Sequence, residues 1–153
     1  MKVSIITVCY NSEKTIEDTI QSVLAQDYPN IEYIIIDGNS SDSTLDIINK
    51  YSDKIQKVIS EPDQGIYDAM NKGIENVTGE IIGILNSDDI YASNSVLSDV
   101  IKSIADKDAV YGNLNYVDSR DTNKVVRRWQ SKEYTSGMFL KGWMPPHPTF
   151  FVR

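Results

Sequence analysis

Five short, β-branched apolar runs alternate with amphipathic segments through the first two-thirds of this chain, and few folds accept that alternation. The runs are Val3 to Cys9 (VSIITVC), Glu32 to Asp37 (EYIIID), Lys57 to Ser60 (KVIS), Glu80 to Leu85 (EIIGIL) and Ala109 to Gly112 (AVYG). Nearly continuous runs of this kind imply strands buried on both faces, as in a parallel sheet covered by crossover helices. Between the first two, Ile16, Ile20, Val23 and Leu24 keep helical spacing after the capping candidates Asn11 and Ser12. A second helix is expected after Ser40-Ser41-Asp42, with Leu45, Ile48 and Tyr51 inward. A third carries Ile66, Met70, Ile74 and Val77, and a fourth, capped by Ser95, uses Val96, Leu97, Val100, Ile101 and Ile104.

From about Asn113 the alternation fails. Tyr116-Val117, Val125 to Trp129 and Thr149 to Val152 read as short strands among polar or Pro-rich links, so the C-terminal part is expected to be mixed or antiparallel. The 153 residues make one domain by length, divided into a βαβ part over 1–112 and the start of a second part over 113–153. The strand-like ending at Arg153 suggests a fragment of a longer protein.

Composition excludes several classes. A formal charge of −7 argues against a general nucleic-acid binder, which needs clustered Lys and Arg. The single cysteine, Cys9, rules out an internal disulfide and reads as a small buried residue suited to a reducing compartment, which makes the cytoplasm the expectation. No apolar stretch is long enough for a membrane span, and no leader sequence precedes the first run. Neither a dinucleotide fingerprint nor a triphosphate-cradling loop is present. With His147 the only histidine, a metal site of several imidazoles is excluded and a Ser-His-Asp hydrolase is disfavoured.

In an open parallel sheet, ligands collect at the carboxyl ends of the strands. There the sequence places Thr7, Tyr10 and Asn11 after the first run, Asp37 after the second, Glu61 and Asp63 after the third, and Asn86-Ser87-Asp88-Asp89 after the fourth. Adjacent carboxylates repel unless a cation, a proton or solvent compensates, and their hard oxygens suit Mg²⁺ or Mn²⁺. An Asp-Asp pair in a solvated turn is the plainer reading, and only its place after EIIGIL favours the metal. Asp37 likewise serves either a turn or a ligand. The stretch EPDQGIYDAMNKG offers a tight turn and a helix start suited to an anion, or simply a loop. Tyr10, Tyr67 and Trp143 have faces able to stack on a base or sugar, although packing is the commoner use of each.

Taken together, SIITVCYNSEKTIEDTIQSVLAQDYPNIEYIIIDGNSSDST and EPDQGIYDAMNKGIENVTGEIIGILNSDDIY resemble the family 2 inverting glycosyltransferases of the GT-A fold. YGNLNYVD and PHPTFFVR look like the bacterial polysaccharide-synthesis branch. The resemblance implies an α/β, Rossmann-like sandwich with a mostly parallel central sheet. It implies nucleotide-sugar contacts from Thr7, Tyr10, Asn11, Asp37, Asp63 and Asp88, and a metal held by Asp88 and Asp89. Asn86 replaces a frequent first Asp of the acidic motif, leaving open which of the two is the direct ligand. His147 and Trp143 fall near the expected diphosphate or acceptor.

The implied reaction is a single displacement at the anomeric carbon, with the general base beyond Arg153. Its partners are a nucleoside-diphosphate-sugar donor and a saccharide or lipid-linked saccharide acceptor, with room for peripheral association of the full-length protein at the inner membrane face. Two other readings stay open. One is a non-catalytic nucleotide-sugar-binding module. The other is a phosphoacceptor receiver-like domain, which would place its acidic pair after the first strand rather than the fourth.

Overall fold

The computed structural model describes all 153 residues, and its centre is the run that opens the sequence. Strand β1 (Val3–Cys9) is buried along its whole length. It pairs in parallel with β2 (Ile31–Asp37) on one side and with β4 (Ile81–Ile84) on the other. β3 (Lys57–Ser60) adds to β2, also in parallel. Two short strands complete the sheet, β5 (Ala109–Val110) and β8 (Phe151–Val152), in the order β3-β2-β1-β4-β8-β5. β8 runs antiparallel between β4 and β5, so the chain's end re-enters the sheet that its start built.

Helices cover both faces. On one side α1 (Ile16–Leu24), α2 (Thr44–Asn49) and α4 (Val96–Ile104) send Ile16, Ile20, Val23, Ile48, Leu97 and Ile104 into a core shared with Val3, Ile5, Tyr33, Ile35 and Ile81. On the other, α3 (Ile66–Glu75) lays Ala69 and Met70 over Ile6, Val8, Ile34 and Ile36. The two-residue alternation of β1 and β2 supplies these two cores in turn.

Several expectations need correction. β3 is an edge strand exposed along most of its length, because nothing pairs with its outer side. Asn11 and Ser12 do not cap α1: the helix begins at Ile16 after Thr15, whose side chain makes no capping bond. Asn11 instead takes a left-handed conformation (φ 49°) in the preceding loop, a geometry that asparagine tolerates. Ser95 precedes α4 but bonds the carboxylate of Asp99 rather than a backbone amide. In α3 the inward stripe is Ala69, Met70 and Gly73, while Ile66 and Ile74 face solvent. Gly73 is needed there, since a Cβ would lie 2.4 Å from Cγ2 of Ile6.

The C-terminal excursion is an antiparallel ribbon of β6 (Leu114–Asp118) and β7 (Asp121–Trp129) that leaves the main sheet after β5. β7 is exposed over nearly its full length. After the ribbon, the 3-10 turns Phe139–Lys141 and His147–Thr149 lead back to β8.

Two features set the stability of this frame. A Cβ on Gly83 in β4 would lie 2.4 Å from Cε1 of Phe151, so the glycine makes room for the returning strand. Gly83→Ala is expected to cost about 1–3 kcal/mol by overpacking, measured as a lower urea midpoint. Glu32 is buried at the amino end of the sheet, where it accepts hydrogen bonds from Ser4 Oγ, from Thr78 N at 2.7 Å and Thr78 Oγ1 at 2.6 Å, and from Lys2 Nζ at 3.0 Å. Burial alone would raise its pKa, but these donors outweigh it and bring the carboxyl from 4.5 to about 2. Because the folded pKa is depressed, the contribution is present above about pH 4.5 and lost as pH falls through about 2. Glu32→Gln is expected to be less stable by about 2–3 kcal/mol at neutral pH, with a difference that shrinks steadily in denaturation curves taken at falling pH.

Candidate active site

The strand order reverses between β1 and β4, since the chain first grows the sheet toward β3 and then crosses to the other side of β1. The crevice at the carboxyl ends of strands flanking such a reversal is the usual ligand position in open α/β sheets. A cleft of about 840 Å³ lies there, lined from the β1 end through Thr15, from α3 and the loop before it, and from the Asn86-Ser87-Asp88 tip of β4.

Side-chain bonds hold its rim. The Asn11 amide donates to Ser40 Oγ at 2.8 Å and the Ser41 amide to Asn11 Oδ1 at 2.9 Å, tying the loop after β1 to the loop after β2. Farther along, the Ser12 amide donates to Thr44 Oγ1 at 2.7 Å, and the hydroxyls of Ser12 and Ser87 lie 2.8 Å apart, which joins β4's tip to the same frame.

Asp37 anchors this network from below. It is fully buried and accepts the Ser40 amide at 3.0 Å, the Ser40 hydroxyl, and the Ser60 hydroxyl at 2.7 Å. Its oxygens are engaged inside the protein and do not line the cleft. Thr7 is also absent from the lining, being wholly buried with its hydroxyl 3.0 Å from that of Tyr33. The strand pleat aims Thr7 into the larger core rather than at the rim. Cys9 sits beside Asp37, and burial together with that carboxylate pushes its thiol far above the usual range, leaving it unreactive.

The structure brings Tyr10, Asn11, Asp63 and Asp88 together around the cleft. Tyr10 leaves 64% of its surface exposed, so its ring is available to a ligand. Asp63 uses one oxygen to accept the Gly65 amide at 2.8 Å. Its other oxygen lies 2.5 Å from where a Cβ on residue 38 would stand, so Gly38 leaves the space in which this carboxylate sits.

At the tip of β4, Asp88 is exposed toward the cleft while Asp89 is half-buried behind it and does not line it. Desolvation first, and then the charge of Asp88, raise the Asp89 carboxyl to about 6, against a lowering bond from Asn86. Asn86 Oδ1 is buried without a partner. No three metal-ligating His, Cys, Asp or Glu side chains cluster in the protein. A hard cation at this tip would therefore draw on Asp88, with Asp89 or the orphaned Asn86 oxygen near it, and complete its shell from phosphate and water, a donor set that suits Mg²⁺ or Mn²⁺.

Trp143 belongs to an aromatic cluster with Tyr111, Tyr134 and Phe139, at ring-centroid distances of 5.3 to 6.0 Å. His147 opens the turn before β8, and the antiparallel pairing of Gly83 with Phe151 carries that turn back past the carboxyl end of β4. Desolvation lowers the imidazole pKa from its ordinary value. Neither residue lines the cleft.

Sequence reasoning passed over Lys14, Ser12, Glu13 and Asp42, which also line the cleft. Lys14 is the one basic residue on its wall. Its position in a polar loop gives no periodic signal, so only the folded loop shows where it stands.

An acidic cleft at the switch point of a mostly parallel sheet is the ligand crevice of an open α/β domain. Comparison makes the class specific: this chain belongs to glycosyl transferase family 2, which it matches over residues 4–152. This membership overturns the receiver-like reading. Among relatives, it is 42% identical over 90 residues to a putative teichuronic acid biosynthesis glycosyltransferase, TuaG, of Bacillus subtilis, covering 57% of this chain and 36% of that one. It is 34% identical over 129 residues to WfgD of Escherichia coli, named a UDP-Glc:α-D-GlcNAc-diphosphoundecaprenol β-1,3-glucosyltransferase, covering 83% of this chain and 50% of that one.

Among solved structures, S. aureus TarS in complex with UDP-GlcNAc superposes with a TM-score of 0.66 at 31% identity, covering 71% of this chain and 33% of that one. The mannosyltransferase PcManGT of Pyrobaculum calidifontis, in complex with GDP-Man and Mn²⁺, gives 0.65 at 25% identity, covering 80% and 37%. The fold is GT-A, and the chain spans about half or less of the length of these relatives.

The two buried and lining acids should separate experimentally. Asp37→Ala leaves several donors unpaired in the interior and is expected to cost about 3 kcal/mol in thermal or urea unfolding. Asp63→Ala should leave unfolding within about 0.5 kcal/mol while weakening nucleotide binding in calorimetry, because Asp63 lines the cleft and one of its oxygens has no hydrogen-bond partner in the protein.

Proposed function

We propose that this chain is the donor-binding part of a glycosyltransferase that moves a sugar from a nucleoside-diphosphate sugar to an acceptor hydroxyl in bacterial surface polysaccharide synthesis, with inversion and with Mg²⁺ or Mn²⁺. The observation that carries this reading is the charge of the cleft. Glu13, Asp42, Asp63 and Asp88 line it against Lys14 alone, so a diphosphate entering unaided would be repelled. Asp88 at the tip of β4, with the orphaned Asn86 oxygen beside it, is where a divalent ion would reconcile the two. When bound, that ion neutralises charge growing on the leaving phosphate oxygen.

The residues around it have separate tasks. Tyr10 offers its ring to the base, Asp63 accepts a hydrogen bond from base or ribose, and Asn11 lines the approach while holding the neighbouring loop. Lys14 reaches toward the diphosphate. Thr7 and Asp37 act from inside, fixing the floor on which these side chains stand. Residues 1–112 then form the nucleotide-binding part, while 113–153 begin the acceptor side, with His147 and Trp143 closest to the transferred sugar or its acceptor.

None of the cleft carboxylates is assigned as the general base. Asp88 is committed to the cation and Asp63 to the nucleotide, while Glu13 and Asp42 accept hydrogen bonds that tie the loop after β1 to the start of α2. The base is therefore expected outside these residues, and transfer by this chain alone should be weak or absent. The acceptor is read as a saccharide or lipid-linked saccharide at the inner membrane face, supported by the lipid diphosphate in the name of the Escherichia coli relative. No helix is long and apolar enough to cross a membrane.

Calorimetry with UDP and GDP, each with and without Mn²⁺, tests the proposal. Binding should require the metal, and Asp88→Ala should weaken it by about 1.4 kcal/mol or more, a tenfold loss. Metal-independent binding of equal strength in wild type and Asp88→Ala would remove the cation from the reading. Failure to bind any nucleoside diphosphate would remove the donor site altogether.

A further inference from the structure

The charge of this chain is unevenly distributed. Residues 113–153 hold seven of the 15 Lys and Arg but three of the 22 Asp and Glu, a net +4, whereas residues 1–112 carry −11. Of those seven cations only Lys124 forms an ion pair, with Asp118 at 3.2 Å. Arg127 lies over the ring of Tyr116 at 5.2 Å, and Arg128, Lys132 and Lys141 are exposed with no carboxylate partner.

Exposed apolar side chains concentrate in the same lobe. Half of the chain's 14 exposed large hydrophobic residues fall between Tyr116 and Met144. Leu140, in the turn between Phe139 and Lys141, is 94% exposed; Met144 is 62% and Val126 is 59% exposed. Tyr134, Phe139 and Trp143 pack on one another beside that turn. A lone exposed leucine needs no explanation, but aliphatic tips and aromatic rings bordered by unpaired cations form a patch with a chemical preference.

We infer that the β6–β7 ribbon and the Phe139–Lys141 turn form a docking surface for a bilayer carrying anionic headgroups. Arg128, Lys132 and Lys141 meet lipid phosphates, while Leu140 and Met144 enter the acyl boundary and the aromatic cluster sits at headgroup depth. Long cationic side chains can keep their charges among headgroups while their stems accompany apolar neighbours downward. A nucleic acid would use the cations but leaves Leu140 and Met144 without a role. The acidic remainder of the molecule would be repelled by the same membrane, so attachment through this lobe also sets orientation. This surface rests on the proposed lipid-linked acceptor for its purpose, since it would hold the domain where such an acceptor lies.

Flotation of the 153-residue chain with phosphatidylcholine vesicles, with and without about a third phosphatidylglycerol, gives the test. The chain should float with the anionic vesicles, stay behind with the neutral ones, and detach in about 0.5 M salt. Arg128→Gln with Lys132→Gln should lower binding on the order of thirtyfold, at about fivefold per cation. Leu140→Ser should weaken it further in combination, and Lys54→Gln on the opposite part of the chain should do so far less. All four residues are exposed, and unchanged melting temperatures would confirm intact folding. Metal-dependent UDP binding should persist in each variant, so loss of vesicle binding alone separates this surface from the donor cleft. Equal binding to neutral vesicles, no binding to either kind, or indifference to the double substitution would overturn the inference. So would self-association that these substitutions abolish, which would assign the patch to a second copy of the chain.

Discussion

The buried carboxylate of Asp37 holds the cleft end of this domain together. Parallel pairing places Cys9 of β1 opposite Asp37 of β2, and Asp37 opposite Ser60 of β3, so three strands end at one level. Asp37 then bonds across that level to Ser40 and Ser60, and Ser40 in turn receives the Asn11 amide. Burying a charge is unfavourable unless its hydrogen-bonding capacity is met, and here the groups that meet it are those that shape the loops. The rim of the cleft is thus cross-linked by hydrogen bonds within the protein itself.

Two electrostatic environments follow from the same chain. The cleft gathers carboxylates where β1, α3 and β4 converge, and behind it burial first, then the charge of Asp88, raises the Asp89 carboxyl. That crowding is unfavourable unless a cation, a proton or solvent compensates. The ribbon beyond β5 has the opposite character, its cations unpaired except Lys124, which meets Asp118. The acidic cleft and the cationic ribbon therefore lie on different parts of the chain.

Much of this was legible in the residues. The runs at Val3, Glu32, Lys57 and Glu80 announced strands because β-branched residues at such density have few other uses, and the Asp88 position at a strand tip pointed to the cleft. Other features escaped for identifiable reasons. Burial of β3 was overestimated because an edge and a centre strand can share one composition. Asn11 looked like a helix cap because local sequence does not distinguish capping an amide in α1 from receiving one from Ser41. Thr7 and Asp37 carried the right polarity for a ligand, yet their partners, Tyr33, Ser40 and Ser60, are supplied by other strands and loops.

The sequence by itself determined the alternation of strand and helix, the family, and the polar residue types delivered to the strand ends, because those depend on short-range periodicity and composition. Only the tertiary structure decided which polar groups face the cleft and which support it from behind, since the answer lies in pleat direction and in hydrogen bonds between residues about 20 to 75 positions apart. It also decided that β8 slips between β4 and β5, a placement that the missing Cβ of Gly83 makes possible and that no local pattern in Phe151-Val152 reveals.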